Sequence, residues 1–514
     1  MSYTAAKGLL ARGRLLCITN FGILSTQLIG PTTLARSNLI CYPEVTKRLP
    51  RNSRPIGRLR RMRDSRQSLI QALQFRIRVK EPALKTEVTC GKDRNRSMTD
   101  TPLTINADRL HADLNTLGEI GHVEGGGIRR MAFTEADMEG RRWLMSSLDQ
   151  AGLQASMDGA GNVSGRWSDY GAEPTVMVGS HLDTVPNGGP LDGALGVLIG
   201  LECLRRIKED GLADTLNPVE LISFSDEEGR FGGGFLGSRA ICGYLVPQAI
   251  KDAADFDGVS LVEAMQAVGL DPMEALHARR APGSIRAYLE LHIEQGPVLD
   301  SLGTSTGIVQ NITGLWRWHV SLIGRPDHAG TTPMNLRSDA LGGLAEFANE
   351  IPRVLEENDG EQSVATVGFV QLEPGTANTV PGRVDFSLDV RDVDRKVLDG
   401  LGAAFRRALS AIARRRDLMF EFRELSNVDP VACSEEVITA IDRAAGLVEQ
   451  RPHRMNSGAG HDAQVMASMA PVGMIFVPSV EGRSHSPAEW THFDDIVDGA
   501  NLMLNTVLEL ARRE

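Results

Sequence analysis

Cysteine is scarce in this chain of 514 residues, with six in all at positions 17, 41, 90, 203, 242 and 433. None belongs to a CxxC pair, which excludes a cysteine-based zinc site, and six are too few for a disulfide scaffold. A reducing, cytoplasmic setting is therefore the expectation. Long uncharged apolar runs are missing too. No run approaches the ~20 residues of a membrane-spanning helix, so no membrane partner is expected. The glycine-rich stretches FGGGFLGS and VEGGGIRR lack the lysine and the spacing of a phosphate loop. They read as close-packing turns. Basic residues are also short over most of the chain: residues 98–514 hold 35 Lys/Arg against 61 Asp/Glu. Phosphate binding rests on Lys and Arg, so this deficit argues against a nucleic-acid partner.

Residues 1–97 have the opposite balance, 20 Lys/Arg against 5 Asp/Glu. The stretch includes RNSRPIGRLRRMRDSR and shows no sustained amphipathic period. It could be a nucleic-acid arm, an Arg-rich transit segment, or sequence upstream of a protein that starts at Met98. The last is preferred, making 1–97 a basic extension outside the fold.

From Asn106 onward the pattern is regular. A chain this long needs more than one core, and 42% apolar with 24% charged residues is ordinary for a globular protein. RLHADLNTLGEIG and DMEGRRWLMSSLDQAGL read as amphipathic helices. PTVMVGSHLD, VELISFSDEEGRFGGG and SIRAYLELHIEQG each read as a buried strand running into a polar loop. GALGVLIGLECLRRIKEDG is a helix between the first two. This alternation predicts an α/β fold with a mostly parallel sheet, and ligands at the carboxyl ends of its strands.

Between about Leu315 and Leu425 the predicted order becomes strand, helix, two strands, helix, strand, that of a ferredoxin-like βαββαβ unit. EEVITAIDRAAGLV and VGMIFVPS then resume the first pattern. The expected organisation is a catalytic domain in two parts, 98–313 and 427–514, with an inserted lid and dimerisation domain at 314–426.

The predicted strand ends carry His181 and Asp183, Glu227 with Glu228, His292, and His485. Asp192 lies in the glycine-rich turn GSHLDTVPNGGPLDGALG. Imidazoles and carboxylates in this number are the inventory of a two-metal hydrolase, in which one carboxylate bridges the ions. Asp183, two residues after His181, suits an acceptor that fixes the imidazole tautomer. Side chains of adjacent residues diverge on an extended strand end, so one of Glu227 and Glu228 can coordinate while the other serves as general base.

Seven stretches carry a family resemblance: GSHLDTVPNGGPLDGALGV, SDEEGRFGGGFLGSRA, LELHIEQG, GRPDHAGTTPM, ANTVPGRVDFSLDVRD, SGAGHDA and GRSHSPAEWT. Together they resemble the hydantoinase/carbamoylase amidases, a branch of the dinuclear-zinc aminoacylase and peptidase superfamily. The resemblance runs from about residue 105 to the end. It implies a zinc-peptidase-like catalytic domain and two divalent ions per subunit (zinc, or manganese or cobalt). The implied ligands are His181, Asp192 as the bridge, Glu228, His292 and His485, with Glu227 as base. It further implies a homodimer in which His328 serves the partner's site. Asn378 and Arg391 would grip the substrate carboxylate, Arg317 would contact the substrate, and Gln295 would touch the ureido group. His461 is expected in the pocket wall. The implied activity is cleavage of the ureido C–N bond of N-carbamoyl-L-amino acids, with allantoate or ureidopropionate as alternative substrates. A dinuclear peptidase or deacylase, or a non-catalytic dimeric binding protein, is the rival class.

Overall fold

The structure is a computed structural model that describes residues 101–513 apart from 125 and 168–172. The expectations for residues 1–97 lie outside that range. The described residues fall in one compact unit, and among them no helix is long and apolar enough to cross a membrane.

Sixteen strands run in chain order through the described residues. The first six are β1 (Gln154–Met157), β2 (Val163–Arg166), β3 (Thr175–His181), β4 (Val219–Phe224), β5 (Ile285–Ile293) and β6 (Gly307–Ile312). Next come β7 (Gly314–Ile323), β8 (Asp327–His328), β9 (Val364–Thr366), β10 (Val370–Glu373), β11 (Thr379–Val380) and β12 (Arg383–Asp392). The last are β13 (Met419–Val428), β14 (Val431–Ala432), β15 (His453–Ser457) and β16 (Val472–Val477).

Nine strands make the larger sheet, in the order β1-β2-β4-β3-β5-β16-β6-β14 with β15 also on β6. Its centre, β4-β3-β5-β16, is parallel, while the β1-β2-β4 edge and the β16-β6-β14 contacts are antiparallel. The fold is thus mixed α/β with a mostly parallel central sheet. Every residue of β3, β4 and β16 is buried. Strands covered on both faces have no use for alternation, which is why they read as continuous apolar runs. Helices Ala194–Glu209 and Phe493–Leu510 pack on this sheet through Leu198, Leu201, Met503 and Val507.

Only Thr313 separates β6 from β7, so the chain steps almost directly into a second sheet of order β10-β12-β7-β13, with β9 also on β12. All of its pairings are antiparallel. Alternate residues Trp318, Val320, Leu322, Phe386, Leu388 and Val390 pack with helices Ala340–Glu356 and Arg395–Arg416. The intervening residues, among them Arg317, Asp389 and Arg391, therefore occupy the opposite face. SVATVGFVQLE, expected as one strand, is two. Between them Phe369 N–H donates to the Ser387 hydroxyl at 3.1 Å in place of a backbone carbonyl, while the Phe369 carbonyl still accepts from Ser387 N–H at 3.1 Å. The last strand runs beyond Leu425 to Val428 and carries an irregularity between Glu424 and Ser426. The ribbon of β8 with β11 has no counterpart in the sequence reading.

Candidate metal centre and substrate cleft

The parallel strands deliver most of the chemistry. His181 is the last residue of β3 and His292 the last but one of β5; Glu227 and Glu228 follow β4, and His485 lies in the loop after β16. Asp192 sits one residue before Gly193, the N-cap of helix Ala194–Glu209. Gly193 has φ 63°, and a Cβ there would collide with the imidazole of His181. The turn must therefore be this tight and this bare to bring Asp192 over the histidines. A buried carboxylate secures it: Glu489 Oε1 accepts from the N–H groups of Leu191 at 2.9 Å and Asp192 at 3.0 Å.

Asp192 presents its two oxygens to two different groups. Oδ1 lies 3.2 Å from His292 Nε2 and 3.7 Å from His181 Nε2. Oδ2 lies 3.3 Å from His485 Nε2, which is itself 3.5 Å from Glu228 Oε2. Two sets, His181–Asp192–His292 and Asp192–Glu228–His485, thus bring potential ligand atoms together with Asp192 in common. The imidazoles are oriented for the task. Nδ1 of His181 faces the Asp183 carbonyl oxygen at 3.0 Å, and Nδ1 of His292 faces that of Ile293 at 2.9 Å. With Nδ1 donating to a carbonyl, each ring turns Nε2 to the cluster, where it offers a lone pair once that nitrogen gives up its proton. Glu228 Oε1 is buried with no hydrogen-bond partner among the described residues. A buried acceptor without a donor calls for a cation or water beside it. The donor set fits divalent metal ions.

Electrostatics follow from crowding. Burial pushes the His181 imidazole down to about 4. Burial is the largest single effect on His292 as well, but the hydrogen bond and charge of Asp192 together with the charge of Glu290 outweigh it and hold this ring up at about 9. Burial and neighbouring carboxylates raise Glu227 and Glu228 well above the ordinary range. A cluster of carboxylates this dense is stable in ionised form only with compensating positive charge.

Glu227 belongs to neither ligand set. Its Oε2 lies 3.5 Å from His181 Nε2, and it lines the cleft. Asp183 accepts from His181 as expected, through its carbonyl oxygen. The carboxylate accepts from the N–H groups of Glu227 at 3.4 Å and Glu228 at 3.2 Å, so it fixes the glutamate pair. Asp226, Gln295 and His485 all have positive φ, at 50°, 58° and 52°. Non-glycine residues in this region are uncommon, and their grouping here marks a backbone bent to aim side chains.

A cleft of about 450 Å³ opens over the cluster, walled by Phe235, Leu315, Arg317, Arg391, Val428 and His461 among others. His461 stacks edge-on against His292 with ring centroids 4.6 Å apart. The Gln295 amide nitrogen is already engaged, donating to Asp192 Oδ2 at 2.7 Å and to the Ser484 hydroxyl at 3.2 Å. It braces the shared carboxylate, and its side chain also lines the cleft. Arg317 and Arg391 both line the cleft, as expected of substrate-binding residues.

Asn378 is not beside Arg391. It lies next to β11, whose Thr379 pairs with His328, and its carbonyl accepts from Ala329 N–H at 2.9 Å. Eight residues of β12 separate Arg383, near this ribbon, from Arg391, roughly 26 Å of strand. Within one chain Asn378 therefore lies beside Ala329 and near His328 rather than beside Arg391. Asn378 and His328 are exposed and neither lines the cleft of their own chain. Nδ1 of His328 accepts from Gly330 N–H at 3.0 Å and Thr331 N–H at 3.2 Å, which leaves the proton of this exposed ring on Nε2.

Sequence reasoning missed Glu489 and Asp389. Glu489 follows His485 by four residues in GRSHSPAEWT, and Asp389 precedes Arg391 by two. That period-2 spacing places a carboxylate on the arginine's face of the strand and was a usable signal.

A shared carboxylate, two ligand sets and an adjacent glutamate at the ends of parallel strands define a metallohydrolase centre. The chain belongs to peptidase family M20/M25/M40, whose profile matches residues 177–509. Within that family it falls among the hydantoinase/carbamoylase amidases. It is 42% identical to the N-carbamoyl-L-amino acid amidohydrolase of Geobacillus stearothermophilus, over 80% of this chain and 100% of that one. It is 35% identical to the allantoate amidohydrolase of Escherichia coli, over 78% of this chain and 97% of the other. An amidase of the hydantoinase/carbamoylase family from Burkholderia multivorans has a similar structure, with a TM-score of 0.73 at 33% identity over 80% and 99% of the two chains.

Proposed function

We propose that this protein hydrolyses the ureido C–N bond of N-carbamoyl-L-amino acids, releasing the amino acid, ammonia and carbon dioxide. The observation that carries this is Asp192, one carboxylate turned to two ligand sets with Glu227 beside it. His181, Asp192 and His292 would hold one divalent ion, and Asp192, Glu228 and His485 a second. Such ions, zinc or manganese or cobalt, acidify water and polarise a carbonyl.

The chain's own residues do the rest. Glu227 takes the proton of the attacking water and returns it to the amino-acid nitrogen as the C–N bond breaks. The carbamate that departs falls apart to ammonia and carbon dioxide. Arg391 receives the substrate carboxylate, and Arg317 lies beside it for a second acceptor on the substrate. Gln295 and Asp183 keep Asp192 and the glutamate pair in place.

His328 and Asn378 act on the site of a second copy, His328 donating Nε2–H to the oxyanion. Residues 314–426 serve as the lid and dimerisation domain of a cytoplasmic homodimer. An exposed strand edge supports this reading: β9 and β10 end the second sheet with Val364, Phe369 and Val370 about half exposed. Unpaired apolar edges are ordinarily covered.

Allantoate is the second reading, supported by the 35% identity to an allantoate amidohydrolase. The test is metal-dependent ammonia release from N-carbamoyl-L-amino acids, ureidopropionate and allantoate, with manganese or zinc added. Turnover of the carbamoyl amino acids is expected to dominate. Preference for allantoate selects the second reading, and activity on none of them rejects both.

A further inference from the structure

On the cleft side of the second sheet one carboxylate holds both arginines. Asp389 Oδ2 accepts from Arg317 Nε at 2.9 Å and Nη2 at 2.6 Å, and Oδ1 accepts from Arg391 Nε at 2.9 Å. The register explains the geometry: Asp389 is directly opposite Arg317 on β7, and Arg391 is two residues further along β12 on the same face. Arg391 is fastened a second time, by Nη1 to the Gly458 carbonyl at 2.6 Å. Among the described residues Arg317 Nη1 and Arg391 Nη2 then have no hydrogen-bond acceptor. Both guanidiniums line the cleft.

Free arginine side chains lose several rotatable bonds on binding an anion, which costs affinity. Here that freedom is already removed. The Asp389 side chain is only 19% exposed, and despite the opposing effect of burial the two arginines hold it below the usual carboxylate range. It stays ionised at neutral pH and cannot exchange roles with a substrate acid.

Resting on the proposed ureido-carboxylate activity, we infer that Asp389 is a positioning residue that sets Arg317 and Arg391 at one fixed separation and makes the cleft select for a carboxylate. It does not touch the substrate. It acts through the two guanidiniums, so its effect depends on their presence and on a carboxylate to receive.

The experiment compares Asp389→Asn with the unaltered protein on an N-carbamoyl-L-amino acid and on its α-carboxamide. Asparagine keeps the shape and loses the charge. KM for the carboxylate substrate is expected to rise about tenfold, the equivalent of one charge-assisted hydrogen bond, with kcat falling at most about threefold. KM for the carboxamide should barely move. In a double-mutant cycle Asp389→Asn should add nothing once Arg317 and Arg391 are both alanine. Equal losses on both substrates, or full additivity in the cycle, would show a merely structural carboxylate and overturn the inference. If the unaltered protein turns over no ureido carboxylate, the proposed function fails on its own. Calorimetry with an N-acetyl-L-amino acid then reads the brace: about tenfold weaker binding in Asp389→Asn supports it, and unchanged binding overturns it.

Discussion

Adjacent glutamates face different partners at this centre because the backbone aims them apart. Glu228 sits with Asp192 and His485, while Glu227 faces His181 from within the cleft. Glu227→Gln should therefore retain metal and lose turnover by at least ~10²-fold, the usual contribution of a positioned acid–base group. His292→Ala should lower metal content first. Elemental analysis of both variants beside their ammonia release checks the assignment; metal loss in Glu227→Gln with activity kept would reverse the two glutamates. Glu489 is the less visible member. Its carboxyl, pushed up to about 7 by burial and by nearby Asp192, receives two buried N–H groups of the turn that carries Asp192. Glu489→Ala leaves both donors unsatisfied, at about 1–3 kcal/mol, and should weaken metal binding about 10- to 100-fold, as loss of a supporting partner does. Titration with a chelator measures it. The side chains that the structure gathers around Asp192 were legible in the sequence because imidazoles and carboxylates stand out after apolar runs. Asp183 was legible as an acceptor for His181, while spacing does not tell whether its carbonyl or its carboxylate does the holding.

Elements were legible in proportion to how strongly burial patterns them. β3, β4 and β16 are covered on both faces and appear as unbroken apolar runs. β1 and β15 are four and five residues long, partly exposed, and carry no such signal. The two-residue strands β8 and β11 are too short for any period, so the ribbon that unites His328 with Asn378 could not be foreseen. That ribbon changes a functional expectation. With Asn378 beside His328 and Arg391 at the far end of β12, both ribbon residues should act on the partner's cleft. Mixed dimers of Glu227→Gln and His328→Ala should then recover activity, because one of the two sites keeps both residues. Glu227→Gln mixed with Asn378→Ala should recover it in the same way. Activity assays after confirmed subunit exchange decide this: if neither pair complements, each cleft is complete within one chain.

At the scale of the whole molecule, two sheets divide the work. The larger one gathers ligands at the carboxyl ends of its parallel centre, where open α/β sheets place their sites. The smaller one turns an apolar face to its helices and a polar face to the cleft, so Arg317, Asp389 and Arg391 are positioned by simple alternation. The change of pattern near Leu315 marked this division in the sequence, and the single residue between β6 and β7 is its structural counterpart. What the sequence could not convey is closure, since the contacts that gather strand ends onto Asp192 come from segments up to about 300 residues apart. The central claim is that this assembly cleaves a ureido bond. Ammonia and free amino acid are best measured together, from an N-carbamoyl-L-amino acid and from the N-acetyl derivative of the same amino acid, with manganese or zinc and again after chelation. One ammonia per amino acid from the carbamoyl compound, abolished by chelation and with the acetyl compound left largely intact, is the result predicted. Release of amino acid from the acetyl compound alone would make the protein a deacylase and contradict the account.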